Sequence, residues 1–350
     1  MSFHLLREAI RARIRAVCLI AFSLPLLTGP LFTAGVSDAA KPPNLLKSKA
    51  KQSREARVER YERTLKNHLA SDPWPLVDLE ISLDRWKDTA GLIEGMDRAG
   101  VALGAVTATS EEAIEKAVER YPGRLIPLTT SATPKDWMKD SGAYLSSIKR
   151  QLGGGAFGVG RVTWRPESSE KAQMTQAGEA LGAIIRLATQ MRSFLVLDMP
   201  PDDNGLELLE RRLRAAPEAR VVWTQAGRIL NLNPLPGYGH GLLRALSLRH
   251  PRLSFTLTQD PPAPADSLAP RKNHLYDPGG AFSREWRALL EARVGHFTAG
   301  NDSPKTSPAI YAGRTLHFRQ NVLANISPPA RKLIAYQNAW RFLTNQNWKP

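Results

Sequence analysis

Eight short apolar runs, each separated from the next by a stretch with helical spacing, constrain this chain more than any other feature. The runs span residues 76–83, 101–107, 124–130, 158–164, 194–199, 220–225, 252–258 and 294–299. Between them, residues 86–99, 110–120, 134–152, 168–190, 205–215, 239–249 and 283–292 read as helices, and 328–343 reads as a final one. Strict alternation of strand and helix demands parallel strands joined by crossovers. Eight repeats therefore predict an α/β fold, a (β/α)8 TIM barrel, for which about 250 residues suffice. A doubly wound open sheet is the competing arrangement, but the Gly-rich phosphate turn that follows its first strand is missing. The triplet Gly153-Gly154-Gly155 precedes a strand and reads as a helix exit.

The first run, Leu76-Val77-Asp78-Leu79-Glu80-Ile81-Ser82-Leu83, alternates apolar and polar residues. A period of two puts Asp78, Glu80 and Ser82 on one face. In a closed parallel barrel that face points inward, and the C-terminal end of the strand delivers chemical groups. A proline-rich stretch at 260–281, after the seventh run, falls at the same end, where long loops commonly cover active sites.

The residues before the barrel divide in two. Over residues 1–40, Arg7, Arg11, Arg13 and Arg15 precede an apolar run from Ala16 to Val36, with small residues Ser37 and Ala39 beyond it. This is the layout of a secretory signal cleaved near Ala39 or Ala40, with a periplasmic destination. An uncleaved membrane anchor is the alternative, since about 20 apolar residues can span a bilayer. The single cysteine, Cys18, lies inside this run, so a cleaved chain has no thiol for a disulfide, a metal site or a nucleophile.

Residues 41–72 form a basic linker and helix, with the helix expected over 53–69 and the barrel occupying 73–350. The formal net charge is +15, and nine basic residues fall between Lys41 and Lys66. Such a segment reads either as a separable arm for an anionic envelope surface over 41–66, or as a solvated helix lying across the barrel bottom. Specific nucleic-acid binding is not indicated, because no recognised motif accompanies the charge.

Several blocks resemble the amidohydrolase-related family of TIM-barrel hydrolases and decarboxylases. Ala99-Gly100-Val101 through Tyr121-Pro122-Gly123-Arg124 is similar to its second repeat. Val221-Val222-Trp223-Thr224-Gln225-Ala226-Gly227, Arg249-His250-Pro251-Arg252 and Ala299-Gly300-Asn301-Asp302-Ser303-Pro304 are similar to its sixth, seventh and eighth strand blocks. The likeness covers residues 76–343. It implies a divalent metal held by His-x-His or Glu-x-His on the first strand, histidines on the fifth and sixth, and an aspartate on the eighth. Here those positions read Glu80 and Ser82, Asp198, Gln225 and Asp302. The histidines are gone, and zinc favours nitrogen and sulfur donors, so Zn²⁺ is not expected.

Glu80, Asp198 and Asp302 would converge at the C-terminal mouth, with Asp302 the catalytic acid that the resemblance implies. Ser82, Trp164, Arg165, Trp223 and Gln225 would line the pocket. Three readings stand. The carboxylates form a structural cluster balanced by Arg161 or Arg165; they hold Mg²⁺, Ca²⁺ or Mn²⁺ through oxygen ligands alone; or they act as a metal-free acid/base site. The first makes the chain a degenerate family member, a pseudoenzyme that binds or scaffolds without a cofactor. The second leaves a residual metal-dependent hydrolase or decarboxylase.

Overall fold

In the computed structural model the described residues are 43–164, 171–199, 203–227, 239–261, 274–277, 279–301 and 307–349. For residues 43–53, 134, 171–174, 203 and 225 the backbone alone is described. The expected export segment and most of the 260–281 stretch lie outside these residues, as do Arg165 and Asp302. Among the described residues no helix is long and apolar enough to cross a membrane.

After helix α1 (Pro43–Leu69), strands β1 (Leu76–Ser82), β2 (Val101–Thr107) and β3 (Leu125–Pro127) pair in parallel in sequence order. Strands β4 (Val159–Thr163), β5 (Phe194–Asp198), β6 (Arg220–Ala226), β7 (Leu253–Leu257) and β8 (Phe297–Ala299) do the same. The two runs meet just past Pro127. There Phe157 N donates to Pro127 O at 2.8 Å, Thr129 N donates to Gly158 O at 3.0 Å, and Ala132 bridges Val162. Gly160 permits this approach, since a Cβ at that position would stand 1.9 Å from Thr129 O. At the other seam, β8 joins β1 through a side chain. The Asp78 carboxylate accepts from the backbone N–H of Glu80 at 2.9 Å and of Asn301 at 3.1 Å, taking two donors that a regular ladder would pair with carbonyls.

The helices form for legible reasons. In α2 (Thr89–Ala99) the buried residues Leu92, Gly95, Met96 and Ala99 follow the i, i+3, i+4, i+7 stripe. Asp88 caps its start by accepting from Gly91 N at 2.7 Å, and Gly100, at φ 68°, ends it in the left-handed region. Then come α3 (Glu111–Arg120), α4 (Pro134–Lys139) and α5 (Ser141–Gly153). The single helix expected over 134–152 is therefore two. Asp140, at φ −147° and ψ 84°, leaves the helical region between them, and its carboxylate caps the second half by accepting from Ala143 N at 2.8 Å.

Helices α6 (Lys171–Gln190), α7 (Asp203–Ala215), α8 (His240–Arg249) and α9 (Arg284–Ala292) follow the expected pattern closely. A further helix, α10 (Pro308–Asn321), was not expected from the apolar spacing, although Ser307 as N-cap and Pro308 at the first turn announce it. The expected final helix over 328–343 is broken into α11 (Pro328–Lys332), a π turn at Leu333–Gln337, and α12 (Asn338–Thr344).

Helix α1 begins ten residues earlier than expected and is bound to the barrel. Tyr61 and Leu65 are fully buried, and Tyr61 Oη donates to Leu125 O at 2.9 Å. Arg54 and Arg57 donate to Leu343 O and Gly155 O at 3.4 Å each. These carbonyls lie at the N-terminal side of the strands, so α1 covers the barrel bottom. A detachable arm whose removal leaves the barrel intact does not fit this packing.

Three further arginines are used in the same way. Arg124 donates to Ala102 O and Val101 O at 2.9 Å each, Arg319 to Gly100 O at 3.1 Å, and Arg331 to Leu323 O at 2.9 Å. The planar guanidinium carries several donors in fixed geometry, which suits it to stapling carbonyls where elements end.

Candidate functional site

Four strands send polar side chains to one place in the barrel interior. Glu80 comes from β1, Arg161 from β4, Asp198 from the last position of β5, and Thr256 from β7. All four are buried. Arg161 holds Asp198 through two nitrogens on one oxygen, Nη2 at 2.5 Å and Nε at 3.2 Å from Oδ2. Thr256 Oγ1 donates to Glu80 Oε2 at 2.7 Å. Gly300 leaves room for this pair, because a Cβ there would lie 2.9 Å from Glu80 Oε2 and 2.7 Å from Thr256 Cβ.

Burial pushes the Glu80 carboxyl up, while the Arg161 charge and the Thr256 hydroxyl pull it back, and it settles at about 7. Asp78, also buried, is pushed above the usual carboxylate range by burial, against the hydrogen bonds it accepts from Tyr311, Glu80 N and Asn301 N. Although it shares a strand parity with Glu80, Asp78 does not join the Arg161 cluster. It serves the β1/β8 seam and accepts the Tyr311 hydroxyl at 2.7 Å, which ties α10 to the sheet.

Beside Glu80 lies a cavity of about 10 Å³ lined by Ser82, Thr107, Leu128, Arg161 and Val196. This is room for a single water. Around the end of β5, Trp164 N donates to Asp198 O at 2.8 Å, and Trp223 Nε1 donates to Met199 O at 2.7 Å. Both tryptophan side chains are buried. Three buried polar atoms near these strand ends, Trp164 Nε1, Thr224 Oγ1 and Asn301 Oδ1, lack a hydrogen-bond partner among the described residues.

The structure thus brings Glu80, Ser82 and Asp198 to the C-terminal half of the barrel with Trp164 and Trp223. Arg165, Asp302 and the Gln225 side chain lie outside the described residues. His296 lies at the opposite end, in a turn before β8, with Nδ1 2.7 Å from Leu253 O. Thr256, Thr107 and Tyr311 were missed, since lone hydroxyls in apolar runs carry no motif. Their one signal is a polar residue at a position the strand pattern buries.

A divalent cation suits the described residues poorly. Asp198 already gives an oxygen to the Arg161 guanidinium, and that same charge acts on Glu80. An ion bridging the two carboxylates would face a fixed positive charge. Among the described residues no group of three or more His, Cys, Asp or Glu is placed to hold a metal.

No protein-family model and no curated protein matches this chain. Solved structures do. A TatD homologue from Escherichia coli K12 superposes with a TM-score of 0.52 at 13% identity, over 77% of this chain and 97% of its own. A phosphotriesterase homology protein from Escherichia coli, solved with phosphate in its active site, gives 0.51 at 11% identity, over 78% and 100%. At such identity the likeness is one of fold. The chain has the TIM-barrel fold that these structures share, as the alternation of strands and helices predicts.

Proposed function

We propose that this chain is an exported, metal-free member of that structural class, which binds a polar ligand at the barrel mouth instead of hydrolysing one around a cation. The observation that carries this reading is the buried ion pair of Arg161 and Asp198. In the implied family scheme the fifth-strand position gives a metal ligand. Here it gives an anion to an internal guanidinium, so positive charge is supplied by the chain itself. The unpartnered polar atoms of Trp164 and Thr224, at the strands that flank Asp198, support a ligand at this end of the barrel, because buried donors and acceptors are normally satisfied.

Export rests on the arginine-headed apolar run over residues 1–40 and on the absence of cysteine after it. The exposed basic residues Arg60, Arg63 and Lys66 of α1 would hold the protein near an anionic envelope surface, with α1 remaining packed on the barrel.

Titrating purified protein with Zn²⁺, Mg²⁺, Mn²⁺ or Ca²⁺ while following the melting temperature tests the reading. A site for any of them raises stability by about 2.7 kcal/mol at a hundredfold excess over Kd. No saturable rise is expected. A saturable rise abolished by Glu80→Gln or Asp198→Asn would restore the residual-hydrolase reading.

A second reading has its own observation. A carboxyl near pH 7 beside a one-water cavity is placed for proton transfer without a metal. It requires substrate to reach Glu80, and would show as turnover lost in Glu80→Gln but insensitive to chelators.

A further inference from the structure

The barrel bottom carries a pocket that the mouth chemistry does not use. It has a volume of about 330 Å³ and sits where β6 and β7 begin, walled by Arg220, Arg252, Ser254, Arg341 and Asn345. Among the described residues no carboxylate lines it. Pockets of this size hold small molecules or head groups, not macromolecular segments.

Its three guanidinium groups are held differently. Arg220 is anchored by donating to Arg341 O at 3.0 Å and Phe342 O at 2.8 Å, and it also donates to Asn345 Oδ1. Its cation lies over the Phe342 ring, 5.2 Å from the centroid. Arg341 donates to Gly295 O at 2.8 Å. Arg252 pairs with Glu218 at 2.5 Å, where both side chains are half or more exposed. Among the described residues, three guanidinium charges stand against the one Glu218 carboxylate, an excess of +2. Burial, followed by the charges of Arg252, Arg341 and Arg54, lowers Arg220 to about 10. Like charges are therefore gathered without a full complement of anions, an arrangement that an anion from outside would relieve.

We propose that this pocket binds a phosphate monoester dianion. The match is one of charge and shape. A monoester carries about −1.5 to −2 near neutral pH with three acceptor oxygens, and guanidinium forks engage such oxygens in pairs. A carboxylate would leave half the charge unmatched. Two sources present this group, a small soluble phosphate ester and the head group of an anionic phospholipid such as phosphatidic acid. Helix α1, whose Arg54 acts on Arg220, lies on the same face.

The test uses the full chain at low salt, with inorganic phosphate as the first probe and vesicles of phosphatidic acid in phosphatidylcholine as the second. Phosphate should bind saturably by calorimetry and raise the melting temperature, and Arg252→Ala with Arg341→Ala should weaken it at least tenfold. If Arg341→Ala impairs folding, Arg252→Ala alone serves, since it pairs with the exposed Glu218. Arg98→Ala, on the exposed face of α2 and paired with Glu94, should bind like wild type. Vesicle binding lost with the pocket variant identifies a head group, whereas phosphate binding without vesicle binding identifies a soluble ester. The proposal is overturned if neither probe binds, or if both bind the folded pocket variant as they bind wild type.

Discussion

Arg161 Nη2 lies 2.5 Å from Asp198 Oδ2, inside the barrel, with both side chains almost wholly removed from solvent. A buried pair of this kind contributes little beyond its desolvation cost while intact, yet breaking one partner strands the other. Arg161→Met should therefore destabilise the protein by about 3–5 kcal/mol in urea unfolding. Adding Asp198→Asn should recover much of that loss. If the double variant is as unstable as the single one, the two side chains are not coupled as described.

Glu80 gives the protein a pH signature opposite to that of most carboxylates. Its folded value of about 7 stands above the ordinary 4.5, so between these limits the folded state holds a proton that the unfolded state has released. Stability contributed by this group is full below about pH 4.5 and falls as pH rises to 7, by roughly 3 kcal/mol in total. The difference in unfolding free energy between wild type and Glu80→Gln, measured from pH 4.5 to 8, should follow that slope. A flat difference would mean that Glu80 is ionised throughout.

The Tyr311 hydroxyl is the link between α10 and the β1/β8 seam. Tyr311→Phe should cost about 1–3 kcal/mol, because it leaves the buried Asp78 oxygen without its donor. The seam should open with it, and amide exchange at Asn301, whose N–H goes to the same carboxylate, should accelerate. Unchanged exchange would place the seam's stability elsewhere.

Helix α1 should behave as part of the barrel. Tyr61 is buried against Phe157, with ring centroids 5.7 Å apart, and Tyr61→Ala should cost about 3–5 kcal/mol as other large aromatic truncations do. Removing residues 41–66 should yield a protein prone to aggregation. A deletion variant with wild-type unfolding behaviour would return α1 to the status of a free arm.

The architecture was legible because βα alternation is a long-range pattern that eight separate segments repeat, and each strand falls within a few residues of its expected place. What the pattern could not supply was local competition. Asp140 splits a helix whose apolar spacing runs straight through it, since one side-chain oxygen offers the backbone another partner. Helix α10 was invisible to periodicity because its buried face, Tyr311, Ala312, Thr315 and Phe318, mixes small, polar and aromatic residues.

In the site, Glu80 was singled out by strand parity and, with Asp198, by the family resemblance, and Arg161 was one of two candidates for the balancing charge. The parting of Asp78 from Glu80 was not readable. Strand parity puts them on one face, but the irregular β1/β2 register between Asp78 and Ile81 turns the first toward the seam and leaves the second to Thr256. The basic composition was read as a partner signal or as a solvated helix across the barrel bottom, and that Arg54, Arg57, Arg124, Arg319 and Arg331 also bond carbonyls inside the fold is visible only in the folded chain.

Elemental analysis of the full protein, purified without chelator, tests most directly the proposal that an internal guanidinium stands in place of a metal. Less than about one tenth of an equivalent of any divalent transition metal is expected, since a tight site, such as a structural Zn²⁺ site at about 10–16 kcal/mol, keeps its ion through purification. About one equivalent of Zn²⁺, Mn²⁺ or Mg²⁺, lost on Glu80→Gln or Asp198→Asn, would contradict it.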